Sequence, residues 1–255
     1  MFNILHSGDT DANNQLRLKS GELTFDNTKK ALRFHDGKIL GGYEVLGTRA
    51  YTPPPGPETL SDGDLQKGYY GLIPSTEVPW TAESLSTQTG LSAGSIYYSD
   101  IAWMKFASNG NILYVPIKPL RVGISWAQIY QAGLVYGVDG PGSQPYPSGS
   151  PVNQNVVLAI DGHQYRIRLL TGFDSDSSEW NSLIYRVNNG SWENYSLGGM
   201  AMTSDSLGRG NWVQEGSGAT RTQRGAGGRV SGYYNDSVTS SSDPYGWRPV
   251  LELIP

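Results

Sequence analysis

Apolar and polar residues alternate over Gly21-Glu22-Leu23-Thr24-Phe25-Asp26, and again around Leu32 and Phe34. That period of 2 predicts two half-buried strands. Asn27-Thr28-Lys29-Lys30 reads as the turn between them. Asp36-Gly37 supplies a positive φ to the next turn, and Gly41-Gly42 follows. Tyr51-Thr52-Pro53-Pro54-Pro55-Gly56-Pro57 breaks the pattern and reads as a polyproline-like connector. The polar stretch after it, with Trp80, Ser84, Ser86, Thr87 and Gly94, has weak periodicity. It reads as linker and extended chain wrapping a neighbour, with room for a small strand pair.

From residue 96 the apolar density rises. Ile96-Tyr97-Tyr98, Ile101 to Phe106 and Ile112 to Ile117 are strand-like, and Asn109-Gly110 predicts a hairpin turn between the last two. Ser125 and Gln128 have capping-box spacing, Trp126, Ile129 and Tyr130 fall on one helical face, and Gly133 fits the stop. Val156 to Ile160, the turn Asp161-Gly162, and Tyr165 to Leu170 predict another hairpin. Asp176 and Glu179 repeat the capping-box spacing before Trp180, Leu183, Ile184 and Val187, a second helix closed by Asn189-Gly190. Residues 137–151 form a Gly/Pro/Ser loop, and Val250 to Leu253 reads as an apolar final strand. Trp126, Trp180 and Trp212 are expected in the core.

Composition sharpens this outline. In 255 residues there are 33 Gly, 15 Pro, 16 Tyr and 7 Trp, and only 16% are charged. Such a chain favours short strands, many turns and aromatic plugs over long helices. The net charge of −4 comes without a cationic run, so binding of nucleic acid by a basic patch is not expected. With no cysteine there can be no disulfide, thiolate metal site or cysteine nucleophile. Met1 to His6 shows neither a basic start nor an apolar run of signal-peptide length, and no segment approaches the ~18 apolar residues of a membrane span.

The first hairpin, read as GE-apolar-x-apolar-D, a short strand, DG and then GG, resembles an N-terminal segment of phage tail-fibre and receptor-binding proteins. A module of about 50 residues buries little apolar surface, so self-association is the expected remedy. The resemblance implies a trimer and attachment to other virion proteins through this module. The later order is a strand pair, a Trp helix, a hairpin, a second Trp helix, a Trp strand and a closing strand. It is similar to the C-type lectin-like fold, in the branch shared by phage tropism determinants and formylglycine-generating-type domains. Ile124 to Tyr130, Arg168 to Thr171 with Ser178 to Leu183, Gly210 to Glu215 and Tyr245 to Val250 carry that likeness. The middle domain of a full tropism determinant is shrunken here to 51–95, and the absence of cysteine excludes the oxidising chemistry of that branch.

The expected fold is therefore α+β and β-dominated. Residues 1–50 are a β module for virion attachment and trimerisation, 51–95 a Pro-rich connector, and 96–255 a lectin-like domain with two short helices. The resemblance implies an adhesive virion component of tail-fibre type, made in the bacterial cytoplasm, that meets a host surface glycan or protein. A purely structural virion piece and a glycan-processing enzyme are the alternatives.

His6, His35 and His163 are far apart and lack metal-ligand spacing. Asp174-Ser175-Asp176-Ser177-Ser178-Glu179 resembles a calcium loop but lacks its glycine and late glutamate, and reads better as a helix cap. Glu193, Asp205 and Glu215 provide no spacing that singles out a glycosidase pair. Gly208-Arg209-Gly210 and Arg224 to Arg229 lack the ending of a phosphate loop. No catalytic residue, metal or cofactor is expected. Trp192, Tyr195, Tyr233, Tyr234, Asn235 and Tyr245 lie among small polar residues, as in a binding surface; they could equally plug a subunit contact.

Overall fold

The structure, a computed structural model, describes residues 4–8, 10–15, 18–20, 22–28, 31–38, 40–44, 53–144, 150–173, 176–203 and 210–255. Tyr51, Thr52, Asp174, Ser175, Asp205, Gly208 and Arg209 lie outside the described residues, as do Gly21, Lys29 and Lys30. The chain is α+β and β-dominated, in two units, Met1–Pro53 and Pro54–Pro255.

The first unit holds β1 (Ile4–Gly8), α1 (Thr10–Asn14), β2 (Glu22–Asp26), β3 (Ala31–His35) and β4 (Tyr43–Glu44). They form one sheet in the order β1-β2-β3-β4, with β1 parallel to β2 and the other pairs antiparallel. The expected hairpin is present, but its faces are used unusually. A half-buried strand ordinarily covers its apolar side. Here Thr24, Asp26, Arg33 and His35 are the buried set, while Leu23, Phe25 and Phe34 are half-covered and Leu32 is exposed. Hydrogen bonds make the polar side tolerable. Arg33 pairs with Asp26 at 2.9 Å and also donates to Asn14 Oδ1 and Gly41 O, while Thr24 Oγ1 meets His35 Nε2 at 3.1 Å. Asn13 on α1 donates to Gly8 O and Phe25 O. The Gly41-Gly42 pair has positive φ at both positions, and a Cβ on Gly42 would stand 2.6 Å from Phe34 O.

In the second unit, β5 (Asp62–Gly63) and β6 (Lys67–Ile73) precede α2 (Ala82–Thr89) and β7 (Ser95–Ile96). The hairpin β8 (Trp103–Ser108) and β9 (Asn111–Pro116) turns at Asn109-Gly110, both at positive φ. Then come β10 (Arg121–Val122), α3 (Trp126–Gln131), and the hairpin β11 (Val157–Ile160) and β12 (His163–Arg168). A single π turn spans Trp180–Ile184. Last are β13 (Gly210–Trp212), β14 (Thr220–Arg224), β15 (Tyr233–Ser237), β16 (Tyr245–Trp247) and β17 (Val250–Ile254). One sheet runs β11-β12-β17-β9-β8-β6-β5, and the other β15-β14-β13-β16-β10-β7.

Ser125 caps α3 as predicted, with both reciprocal bonds of the capping box to Gln128. Trp126, Trp180 and Trp212 are all buried. Trp126 and Trp212 share one core cluster with Trp80, Trp103 and Trp247, and Trp180 anchors a second with Leu183, Ile184 and Val187.

Three expectations need correction. The Pro-rich connector expected over 51–95 belongs, from residue 54, to the second unit: β6 pairs with β8, and Trp80 and Leu85 are in the core. A bulge between Tyr69 and Gly71 breaks the alternation of β6, and the strand is buried on both faces over Gly68 to Tyr70. The second predicted helix is only the π turn. Asp176 does not cap it, and the Glu179 carboxylate turns away to Arg168. Finally, Tyr97 and Tyr98 lie beyond the two-residue β7.

The proline segment is clamped by side chains. Tyr114 donates to Pro55 O at 3.2 Å, and Lys105 donates to Pro57 O at 2.7 Å and to Gly56 O at 3.4 Å. Lys105 is 2% exposed and lies over the rings of Tyr70 and Tyr114. Burial pulls its pKa down to about 8, against the opposing pull of Glu58. The folded value is below the unfolded 10.5, so the protonated lysine opposes folding fully below pH 8 and less as the pH rises toward 10.5. Because the carbonyls and ring faces retain part of the charge's stabilisation, unfolding free energy should rise by about 1 kcal/mol between pH 7 and 9.5. Urea titrations at both pH values check this, and Lys105→Met should abolish the rise.

Candidate functional site

The six residues singled out in the sequence fall into two groups. Trp192 and Tyr195 lie on the segment that follows the π turn. Trp192 N–H donates to Arg186 O at 3.2 Å, and Tyr195 N–H to Val187 O at 2.9 Å. The Trp192 ring stacks with Tyr69 of β6 at 6.2 Å and 6° between planes, and the Tyr195 and Tyr69 hydroxyls share a 2.8 Å hydrogen bond. Burial, reinforced by that bond, raises the pKa of Tyr69. Both residues thus plug the second core cluster while keeping one side open.

Tyr233, Tyr234 and Asn235 lie on β15, an edge of the six-stranded sheet. Tyr233 is 46% exposed and Tyr234 37%. Tyr233 faces Arg224 across the strand pair, its ring 5.8 Å from that guanidinium. Thr222 donates to Asn235 Oδ1 at 2.6 Å, which fixes the amide. Tyr245 does a different job. Its ring packs on Trp212 at 5.4 Å, and its hydroxyl donates to Asp236. Burial works against the Asp236 carboxylate, but the Tyr245 hydroxyl, Ser237 N–H and Ser240 hydroxyl together hold its pKa below the usual value.

A cleft of about 500 Å³, lined by none of these six residues, was missed in the sequence. Asn181, Tyr185, Arg186, Asn189 and Ser191 line it from the π turn and the chain beyond. Lys67, Asp176, Arg224 and Ser231 complete it. The size suits a small ligand or one unit of a polymer. Arg186 lies over Trp192 at 5.4 Å, which holds its charge at the rim. Arg224 is buried behind it, donating to Gly172 O at 2.9 Å and Asn181 Oδ1 at 2.5 Å. Neither Lys67 nor Arg186 forms an ion pair with a carboxylate among the described residues. Only the third dimension brings these residues together, because they are spread from 67 to 231. The short run Tyr185-Arg186 before Asn188-Asn189 was the one local signal available.

Two smaller clefts adjoin it. One of about 400 Å³ shares Ser231 and reaches Arg229, Tyr233 and Tyr234. The other, about 180 Å³, shares Lys67 and is lined by Gln66, Asn109, Ser177 and Glu179. A separate hollow between the chain that follows α2 and helix α3, lined by Leu91, Ala127 and Ala132 among others, brings no charged side chain.

The remaining candidates are structural. His35 is buried against Thr24, and His163 packs edge-on to Tyr165. Glu179 is held by Arg168 and by Thr171 N–H. Glu215 accepts from the backbone of Gly172 and Phe173, so its carboxylate fixes a loop. Glu193 is exposed and lines none of these clefts.

Comparison with solved structures finds a Major Tropism Determinant U1 variant at 12% identity and TM-score 0.30, covering 99% of this chain and 100% of that one. An I1 variant of the same protein matches at 11% identity and TM-score 0.26, with the same coverage. At TM-scores this low, the likeness carries no argument about fold or function. No protein-family model matches the chain, and no curated protein matches it.

Proposed function

We propose that the chain is an attachment component of a bacteriophage virion, with the second unit meeting the host surface and the first serving as its mount. The observation that carries this reading is the face around the large cleft. Exposed Tyr233 and Tyr234 on a sheet edge line a cleft with Arg229, and through Ser231 that cleft adjoins the larger one that holds Lys67, Arg186, Asn181 and Asn189. Large rings beside adaptable polar groups suit recognition of a surface. The sequence resemblance to tail-fibre and lectin-like proteins supplies the virion context. Binding is favoured over catalysis because, among the described residues, Asp176 is the one carboxylate lining the large cleft and Glu179 in the adjoining cleft is taken up by Arg168, while glycoside hydrolysis requires two flanking one bond.

Self-association fits the first unit. Leu23 faces Phe34 and Phe25 faces Leu32 across the strand pair, and this apolar side is incompletely covered within the unit. We propose that copies of the chain cover it in a trimer, which would multiply weak contacts into avidity. Light scattering should give the mass of three chains, and Leu32→Asp should reduce it to one. An unchanged trimer would show that another surface holds the copies together.

The functional test is the attachment of fluorescently labelled chain to a panel of bacterial strains. Decoration confined to particular strains supports the reading; decoration of none shifts the role to contacts within the virion.

A further inference from the structure

We infer that the three adjoining clefts are one groove for a linear, carboxylate-bearing polysaccharide. The inference rests on the attachment reading and names the ligand class of the same face. Lys67 is common to the smallest and largest clefts, and Ser231 to the largest and the third, so each boundary residue belongs to two subsites. A chain of repeating units fits such a series better than a single compact ligand does.

The charge of the groove opposes that of the protein. The chain carries −4, yet Lys67, Arg186, Arg224 and Arg229 line the groove against Asp176 and Glu179. Glu179 is already matched by a two-pronged pair with Arg168, at 2.7 and 2.8 Å. Arg229 is exposed, and like Lys67 and Arg186 it has no carboxylate partner among the described residues. Arginine presents a planar fork that matches a carboxylate, and Arg186 is oriented by the Trp192 ring.

The rest of the lining distinguishes sugar from other polyanions. Asn189, Ser191 and Ser231 bring an amide and two hydroxyls suited to sugar hydroxyl groups, with the Asn189 oxygen oriented by Ser191 N–H, and Tyr185, 39% exposed, brings an aromatic ring. A nucleic acid would ask for a denser track of cations and successive stacking platforms.

The test uses the full chain with polygalacturonate, dextran and single-stranded oligo-dT, each followed by titration calorimetry. Binding to polygalacturonate but not dextran is expected. It should weaken roughly tenfold with Arg186→Gln and fall further in Lys67→Gln/Arg186→Gln. Raising sodium chloride to about 0.5 M should weaken it as well. Circular dichroism checks that the variants stay folded. Equal binding to dextran, binding to oligo-dT as tight as to polygalacturonate, or no binding to any of the three overturns the inference. The two readings fail separately. Cell attachment that survives Lys67→Gln/Arg186→Gln sinks the groove alone, whereas polygalacturonate binding without cell attachment sinks the attachment role alone.

Discussion

Replacing Arg168 by methionine is expected to lower the unfolding free energy by about 3–5 kcal/mol. Arg168 is the hub of the charge network beside the groove. Its guanidinium grips both oxygens of Glu179, donates through Nε to Glu252 at 2.8 Å, and reaches Leu169 O at 3.0 Å. Burial alone would lower the pKa of Arg168, but Glu179 and then Glu252 raise it, so the two carboxylates outweigh the desolvation. Without the arginine, these carboxylates stand close together with little solvent; Arg166, at 3.2 Å from Glu252, offsets only one of them. The charge left behind matters more than the bond removed. Arg168→Met/Glu179→Gln should therefore recover part of the loss, and a double-mutant cycle measures the coupling. A loss below about 1 kcal/mol for the single variant would mean the network is as inconsequential as an ordinary surface pair.

The second large effect concerns Arg248, which has no carboxylate partner among the described residues. It is 1% exposed, and burial pulls its pKa down to about 9. Oxygens take the place of a counterion. Its donors reach Pro116 O, Ile117 O, Met200 O and Asn211 Oδ1, at 2.7 to 3.1 Å. One guanidinium therefore ties the end of β9, the 200 segment and β13 to the closing strands. Arg248→Met keeps much of the volume but leaves these acceptors buried without their donor, and we expect a loss of about 3 kcal/mol. Arg248→Lys should not rescue it, since one ammonium cannot span the positions that a planar fork reaches. Chemical denaturation gives the magnitude. Full recovery by lysine would show that charge alone, and not the fork, holds this junction.

The two buried arginines also show why part of the molecule was illegible in the sequence. Local patterns were readable where one residue's neighbours set its conformation. The Leu23/Phe34 hairpin, the Asn109-Gly110 turn and the Ser125 cap are of that kind, and all are present. Thr81, Ser84 and Gly90 carried an equally local signal for α2, but the sparse apolar residues of that helix concealed it. Burial was harder to read. In the first sheet the polar residues form the covered side because Arg33 binds Asp26 and Asn14, and Asn13 donates to the backbone of Gly8 and Phe25. Periodicity reports alternation and leaves open which face is covered.

The site divides in the same way. Aromatics among small residues pointed to Tyr233 and Tyr234, which are exposed, but also to Tyr245, whose ring and hydroxyl are engaged with Trp212 and Asp236. Lys67 gave no local signal, and Arg186 only the short run Tyr185-Arg186 before Asn188-Asn189, because their meaning depends on a groove assembled from distant segments.

The most direct test of the account is attachment of three labelled proteins to a strain that the parent chain decorates: the parent, Tyr233→Ser/Tyr234→Ser, and Tyr97→Ser. Tyr97 is 52% exposed but follows β7, at the other edge of the same sheet. The account predicts that the double variant loses most of its attachment while Tyr97→Ser matches the parent. Equal attachment by all three would contradict the assignment of this face.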